Sequence, residues 1–284
     1  MTPVEAVFRT EQNHPVTRFH VVGTLNYTSS QDGESEWYAH NPAPGIVERT
    51  PQPEPHAVRI ENARSRSHEF TIDNVGFQLT QFESRVKNFY DEDEVRAVYY
   101  PETEDLVKKL TGAARVLIFD HTLRSTGFSV ESDVLRQPST SVHGDYTEAS
   151  APRRLRQLLP NDAKSLLKKR YAFINVWKPI VRKVEDNALA LCDARSVNAA
   201  DFVRSTLHYA DRTGEVYTFK YNPNHRWFYY PQMQTDEALL LKCFDSNTDG
   251  RARFSAHTSF EDRSSPADAL PRVSIELRTI AFFD

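Results

Sequence analysis

Glycine is scarce in this chain, with 9 residues among 284, and there are only two cysteines, Cys192 and Cys243. The low glycine content excludes glycine-rich repeats, collagen-like chains and flexible linker proteins. Two cysteines without a CxxC pair exclude zinc ribbons and thioredoxin-like sites, and they favour a reducing, cytoplasmic location. No apolar run approaches 18 residues, so no transmembrane helix is predicted. The opening residues, MTPVEAVFRT, lack an apolar h-region, so no signal peptide is predicted.

An excess of positive charge is also missing, because 35 basic and 39 acidic residues give a net charge of −4. Nucleic-acid-binding domains usually carry a basic patch, so that class of protein is not favoured. The motifs GxGxxG, GxxxxGK[ST] and GxSxG are absent, which removes the sequence signals for dinucleotide binding, P-loop phosphate binding and a hydrolase nucleophile. Hydrophobic residues make up 39% of the chain, which is enough to form a core.

The pattern along the chain predicts a single domain over residues 1–284, with mainly β structure and flanking helices. Residues 1–70 are interpreted as an irregular, proline-rich N-terminal arm. Charged helical segments follow from Phe82 to Leu110, and Gly112 is expected to end them. A second, leucine-striped helical region covers Ala151 to Arg170.

Short β-like runs dominate the second half of the chain, and Pro, Asn, Asp or Gly separates most of them. They follow an earlier run, ARVLIFDHTLR. A series of short strands of this kind favours an all-β barrel or sandwich over alternating strands and helices. The runs are YAFINVW, LALCDA, EVYTFKY, WFYYPQM, ALLLKCF, ARFSAHTSF and VSIELRTIAFF.

A candidate metal site begins at His143-Gly144-Asp145, the one H-x-[DE] triplet in the sequence. Residues i and i+2 of a strand share a face, so the imidazole and the carboxylate would point the same way. A second histidine from a distant strand would complete the two-histidine, one-carboxylate set of non-haem iron oxygenases. The same three ligands could bind zinc in a hydrolase, although no general base is evident beside them.

His257 is the best candidate for the third ligand, because it lies in the β-like run ARFSAHTSF. His208 follows a segment, AADFVRSTLHYA, that is interpreted as a helix, and it is expected at the surface. His225 lies in a turn, NPNHRW. The predicted metal ligands are therefore His143, Asp145 and His257.

An oxygenase that uses 2-oxoglutarate also needs a cation for the distal carboxylate, and arginine binds carboxylates in a bidentate manner. R-x-S after His257 occurs twice, at Arg263 and at Arg272. A hairpin returning from the His257 strand would bring Arg272 and Ser274 back toward the metal, so these two residues are predicted to bind 2-oxoglutarate. Arg278 shares their strand parity and is the alternative.

Six strings together resemble the asaB-type hydroxylase/desaturase family, which includes relatives of the gibberellin desaturase and of the cephalosporin 7α-methoxylation protein. The resemblance covers roughly residues 20–284. It implies a double-stranded β-helix (jelly-roll) core and an oxygenase that uses Fe(II), 2-oxoglutarate and O₂. It also implies the same ligands, His143, Asp145 and His257, with Arg272 and Ser274 for the co-substrate. The strings are INVWKP, ALCDARSV, NHRWFYYPQM, DEALLLKCFDS, ARFSAHTSF and PRVSIELR.

The expected reaction is hydroxylation, desaturation, ring closure or endoperoxidation of a hydrophobic specialised metabolite, with a terpenoid or meroterpenoid as the implied substrate. Two other classes stay open. One is a jelly-roll binding protein with an inert or zinc-bound site, and the other is a partner protein of a methyltransferase. A homodimer is plausible, and no nucleic-acid or membrane partner is expected.

Overall fold

The structure, a computed structural model, describes residues 19–29, 33–38, 52–127, 135–208 and 212–284. Strands make up most of the regular structure in these ranges. They are β1 His20–Thr28, β2 Ser35–Tyr38, β3 Pro53–Asn62, β4 Phe77–Gln81, β5 Arg115–Ser125, β6 Leu135–Arg136, β7 His143–Gly144, β8 Tyr171–Pro179, β9 Ala188–Cys192, β10 Phe202–His208, β11 Thr213–Phe219, β12 Trp227–Tyr229, β13 Glu237–Asp245, β14 His257–Phe260 and β15 Val273–Phe282.

Helices are fewer and shorter. The α-helices are α1 Glu92–Glu94, α2 Tyr100–Thr111, α3 Ser150–Leu158 and α4 Ala163–Leu166, and a π-helical turn, Val95–Tyr99, joins α1 to α2. Three 3₁₀ turns cover Arg64–Glu69, Ala194–Ser196 and Ala199–Asp201. None of the helices in the described ranges has the length and apolar character that crossing a membrane requires.

Two sheets face each other. One has nine strands in the order β1-β3-β12-β9-β14-β7-β11-β10-β2, and the other has six in the order β4-β13-β8-β15-β5-β6. One apolar cluster lies between them and combines Phe173 and Leu241 of the six-stranded sheet with Leu191 and Phe228 of the nine-stranded sheet. The arrangement is a β-sandwich, which confirms the predicted mainly-β architecture with flanking helices.

The central strands of the six-stranded sheet are buried on both faces, which explains their continuous apolar sequences. All nine residues of β8 and all nine of β13 are buried. Alternate residues of β8, such as Ile174 and Val176, face away from the second sheet and pack against Val107 of α2. Gly112 ends α2 in the left-handed conformation, as predicted, with φ of 72°.

Two expectations about local structure are wrong. Residues 1–70 do not form a wholly irregular arm, because β1 and β3 within this region pair along their whole length. Part of the region, residues 1–18, 30–32 and 39–51, lies outside the described residues. The segment before His208 is strand β10 and not a helix, since it pairs with β11 from Phe202 to His208.

Candidate functional site

His143 and His257 lie opposite each other on neighbouring strands. β7 pairs with β14 so that the two histidines are direct partners, and their ring centroids are 4.5 Å apart. Their predecessors, Val142 and Ala256, belong to the apolar cluster on the outer face of the nine-stranded sheet. Because neighbouring residues of a strand face opposite ways, both imidazoles face the space between the sheets.

Backbone carbonyls fix the tautomer of both rings. Nδ1 of His143 donates to the carbonyl oxygen of Ser141 over 2.8 Å, and Nδ1 of His257 donates to that of Ser255 over 3.0 Å. A carbonyl oxygen only accepts, so each Nδ1 carries a proton, and in the neutral ring the lone pair is then on Nε2. This hydrogen bond is the usual support of a metal-binding histidine.

Asp145 completes the cluster from the other side. Its Oδ1 lies 3.8 Å from Nε2 of His143, and its Oδ2 lies 4.0 Å from Nε2 of His257. Asn175 of β8 donates through Nδ2 to Asp145 Oδ2 over 2.7 Å, and the Cys243 thiol in β13 donates to the same oxygen over 3.2 Å. The six-stranded sheet therefore holds the carboxylate, while the nine-stranded sheet supplies the histidines.

The electrostatics set the protonation states that a metal needs. Burial, together with the neighbouring His257, lowers the pKa of His143 to about 4, so its ring is neutral at neutral pH. Burial disfavours the ionised form of Asp145, but His257, His143 and Arg278 outweigh it and hold the pKa of this carboxyl well below its usual range. Neutral imidazole and ionised carboxylate are the forms that bind metal.

The three donors fit a ferrous ion. The ligand atoms that His143, Asp145 and His257 offer all lie within 4.8 Å of one another. Two imidazoles and one carboxylate on one side of a metal leave the other coordination positions open for a co-substrate and O₂. All three residues are the ones that the sequence singled out.

Arg272 and Ser274 are both buried where β15 begins, with 2% and 1% of their surface exposed. Nε of Arg272 and Oγ of Ser274 have no hydrogen-bond partner in the described part of the chain. The guanidinium donates to the carbonyl oxygen of Asn187 and lies 5.4 Å from the ring centre of Trp177. Burial, with Arg124 nearby, lowers the pKa of Arg272 to about 10. Unpaired buried donors of this kind fit a carboxylate ligand.

The two other arginines considered for this role are placed differently. Arg278 is already engaged, because its guanidinium lies 2.9 Å from Asp120 and 3.0 Å from Glu276. Arg263 is exposed in the loop between β14 and β15. Arg272, by contrast, makes no ion pair with the residues that the structure describes, so the geometry favours it over both alternatives.

A cavity of about 610 Å³ lies beside the cluster, and His143 and Asp145 form part of its wall. This volume suits a small organic molecule. Apolar side chains line one part of it, and the polar part of the wall includes six arginines. The apolar residues include Trp37, Phe119, Tyr146 and Leu207, and the arginines are Arg124, Arg136, Arg153, Arg154, Arg212 and Arg278.

Sequence reasoning missed the two residues that hold Asp145. Asn175 is a lone amide in the apolar strand YAFINVWKP, and Cys243 lies in the apolar strand EALLLKCFD. A polar residue inside a fully buried strand needs a partner, which is a signal for Asn175. Cys243 gives no such signal, since free cysteine commonly behaves as a small apolar residue.

Comparisons with known proteins identify the family of the chain. A family model described as an oxidoreductase/YMDC permease-like domain matches residues 25–282. The hydroxylase/desaturase efuI of Hormonema carpetanum is 34% identical over 250 residues, covering 80% of this chain and 83% of that protein. The hydroxylase/desaturase CTB9 of Cercospora beticola is 36% identical over 256 residues, covering 81% and 78%.

A solved structure shares the architecture. The iron and alpha-ketoglutarate-dependent endoperoxidase NvfI matches with a TM-score of 0.85 and 26% identity, covering 94% of this chain and 99% of that one. Alpha-ketoglutarate is another name for 2-oxoglutarate. A jelly-roll sandwich with two histidines and a carboxylate on its inner face is characteristic of non-haem iron oxygenases. The chain belongs to the hydroxylase/desaturase family of iron- and 2-oxoglutarate-dependent oxidoreductases, which confirms the predicted family and jelly-roll fold.

Proposed function

We propose that this chain is an Fe(II)- and 2-oxoglutarate-dependent dioxygenase of specialised metabolism. Its reaction is hydroxylation, desaturation, ring closure or endoperoxidation of a molecule with a hydrophobic skeleton, a terpenoid or meroterpenoid. The observation that carries the proposal is the cluster of His143, Asp145 and His257 in a sandwich of the NvfI type. The names of the relatives, hydroxylase/desaturase and endoperoxidase, support the range of reactions.

Each predicted residue has a distinct task in this proposal. His143, Asp145 and His257 would hold Fe(II), and Arg272 and Ser274 would bind the distal carboxylate of 2-oxoglutarate. When bound, the iron with 2-oxoglutarate and O₂ supplies an oxidant able to remove hydrogen from an unactivated C–H bond. The carbonyls behind the two histidines place the proton of each neutral ring on Nδ1, so Nε2 is the atom that would bind the metal.

The protein also has to orient the substrate and limit water near the reactive centre. The cavity beside His143 meets both needs, because Phe119 and Tyr146 line it with apolar surface close to the ligands. Tyr146 is itself buried and packs against Phe173 between the two sheets. A C–H bond of the substrate would be placed next to the metal by these walls.

The test is an anaerobic titration of the metal-free protein with Fe(II) and then 2-oxoglutarate, followed by visible absorbance. We expect a weak metal-to-ligand charge-transfer band in the green for the wild type. His257→Ala should lose the band, because one ligand of three is removed. His68→Ala changes an exposed histidine outside the cluster and should keep it.

A wild type without the band, with tightly held zinc by metal analysis, would instead support a zinc-bound binding protein. Turnover separates the two directly, since a binding protein forms no succinate from 2-oxoglutarate. A band that persists in His257→Ala would show that His257 is not a ligand.

We further propose a single-domain enzyme that acts in the cytoplasm as a homodimer. Free, buried cysteines at positions 192 and 243 support a reducing compartment. The family model spans residues 25–282 as one unit, which supports the single domain. Mass measurement by light scattering tests the dimer, and a monomeric mass would overturn it.

A further inference from the structure

Among the described residues that line the cavity beside the metal cluster, arginines outnumber carboxylates. Six arginines line it, against Asp120, Asp145 and Glu215. Each of these carboxylates has a partner already. Asp120 accepts from Arg278 over 2.9 Å, Asp145 accepts from Asn175 over 2.7 Å, and Glu215 accepts from the hydroxyl of Thr147. Even with all three carboxylates ionised, the described wall of the cavity therefore has three more guanidinium groups than carboxylates.

Helix α3 presents two of these arginines on one face. Ser150, Arg153, Arg154 and Gln157 all line the cavity, and their spacing of three and four residues places them on one side of the helix. Ala151 and Leu155, on the other side, pack into the cluster between the sheets. The helix is thus anchored by its apolar face while its basic face forms part of the cavity wall.

Of the two arginines on this helix face, Arg153 has fewer partners. It is half-buried, and its guanidinium makes no hydrogen bond or ion pair with any residue that the structure describes. Within the described ranges Arg154 donates only to Gln157, over 3.3 Å, and its guanidinium lies 5.4 Å from the ring centre of Phe119. Two adjacent cations thus border an aromatic surface, a combination that suits an anion carried by an apolar skeleton.

We propose that the substrate is an organic acid whose apolar skeleton lies against Phe119 and Tyr146 and whose carboxylate is bound by Arg153 and Arg154. This deepens the proposed oxygenase function and rests on it for calling the ligand a substrate. Carboxylate recognition at α3 would fix which end of the molecule is held away from His143, and therefore which C–H bond is presented.

The test compares two probes with one skeleton, pyrenebutanoate and pyrenebutanol, by equilibrium dialysis with fluorescence detection. We expect the acid to bind the wild type roughly tenfold or more tightly than the alcohol, because a charge-assisted hydrogen bond contributes that much. Arg153→Gln should weaken binding of the acid by about tenfold and leave the alcohol unchanged. Arg153→Lys keeps the charge and should recover part of the loss.

Arg156→Gln is the matched control, since Arg156 is exposed on the same helix and does not line the cavity. It should change the binding of neither probe. Equal binding of acid and alcohol by the wild type, no binding of the acid at all, or equal effects of Arg153→Gln and Arg156→Gln would each overturn the proposal.

The dialysis is run on the protein loaded anaerobically with Fe(II) and 2-oxoglutarate, and again on metal-free protein. Retained binding of the acid in the loaded protein assigns the arginines to the substrate. Its complete displacement by 2-oxoglutarate would assign them to the co-substrate and overturn the proposal. Because the metal-free arm does not need iron, failure of the proposed oxygenase function leaves its result interpretable.

Discussion

Asn175 donates a hydrogen bond of 2.7 Å to Oδ2 of Asp145, and this contact links the two sheets at the candidate metal centre. Asn175 belongs to β8 in the six-stranded sheet, whereas Asp145 follows β7 in the nine-stranded sheet. Oδ1 of the Asn175 amide has no partner in the described ranges. Within these ranges the amide therefore interacts through its N–H with the carboxylate alone, and this hydrogen bond orients Asp145 before any metal binds.

Asn175→Ala should lower the affinity for Fe(II) roughly tenfold to hundredfold, because partners of metal ligands typically contribute that much. Anaerobic calorimetry of Fe(II) binding measures it, with the melting temperature as a check of folding. Asn224→Ala, at an exposed turn, is the control and should bind Fe(II) like the wild type. Unchanged affinity in Asn175→Ala, with the fold intact, would show that Asp145 is oriented without the amide.

Substitution of Arg272 and of Arg263 should have different effects on the affinity for 2-oxoglutarate. Arg272→Gln removes a buried cation beside an unpaired hydroxyl, so the Fe(II)-loaded protein should bind 2-oxoglutarate at least about tenfold more weakly. Arg263→Gln changes an exposed side chain and should leave the affinity unchanged. The charge-transfer absorbance, titrated with 2-oxoglutarate, reports both. The reverse ranking would place the co-substrate near the loop that contains Arg263.

The two cysteines should be unreactive in the folded protein. Both are free and buried, and burial raises the pKa of the Cys192 thiol to about 12, so almost no thiolate exists at pH 8. Ellman's reagent should therefore react slowly with native protein and release two thiols per chain in guanidinium chloride. Ser264→Cys, with a thiol at an exposed position, is the reactive control. Absence of free thiols after unfolding would reveal a disulfide.

The sequence predicted the central strands and the metal cluster because both depend on patterns that burial imposes locally. β8 and β13 are buried on both faces, and their sequences are accordingly mostly apolar. His143 and Asp145 are two residues apart, and His257 lies in a strand whose residues are all buried. What could not be predicted is the pairing of His257 with His143, which the sheet order creates.

The two wrong predictions of local structure, the irregular N-terminal arm and the helix before His208, both concern strands that are only half-buried. β3 alternates exposed and intermediate residues, and its prolines and charges resemble those of a loop. β10 lies within the segment AADFVRSTLHYA, whose local preference suits a helix, but pairing with β11 on one side and β2 on the other makes Phe202–His208 a strand. Tertiary pairing overrides local preference at such positions.

A substitution at Tyr27 tests how strand β1 of the N-terminal region is attached to the rest of the protein. Its hydroxyl accepts a hydrogen bond of 2.8 Å from Nε1 of the buried Trp227 and lies 3.1 Å from Nδ1 of His225. Tyr27→Phe removes the hydroxyl and leaves the indole N–H buried without its partner. The free energy of unfolding should fall by about 1–3 kcal/mol, the usual penalty for an unsatisfied buried donor.

Urea denaturation measures this loss, and Val22→Ala on the same strand is the control. Val22 is 58% exposed, so its truncation should change the free energy of unfolding by no more than about 0.5 kcal/mol. Fe(II) binding should stay as in the wild type in both variants, because Tyr27 packs in the cluster on the outer face of the nine-stranded sheet. Equal stability of Tyr27→Phe and wild type would mean that the hydroxyl does not tie β1 to the core, and that β1 is held by its strand pairing and its buried apolar side chains.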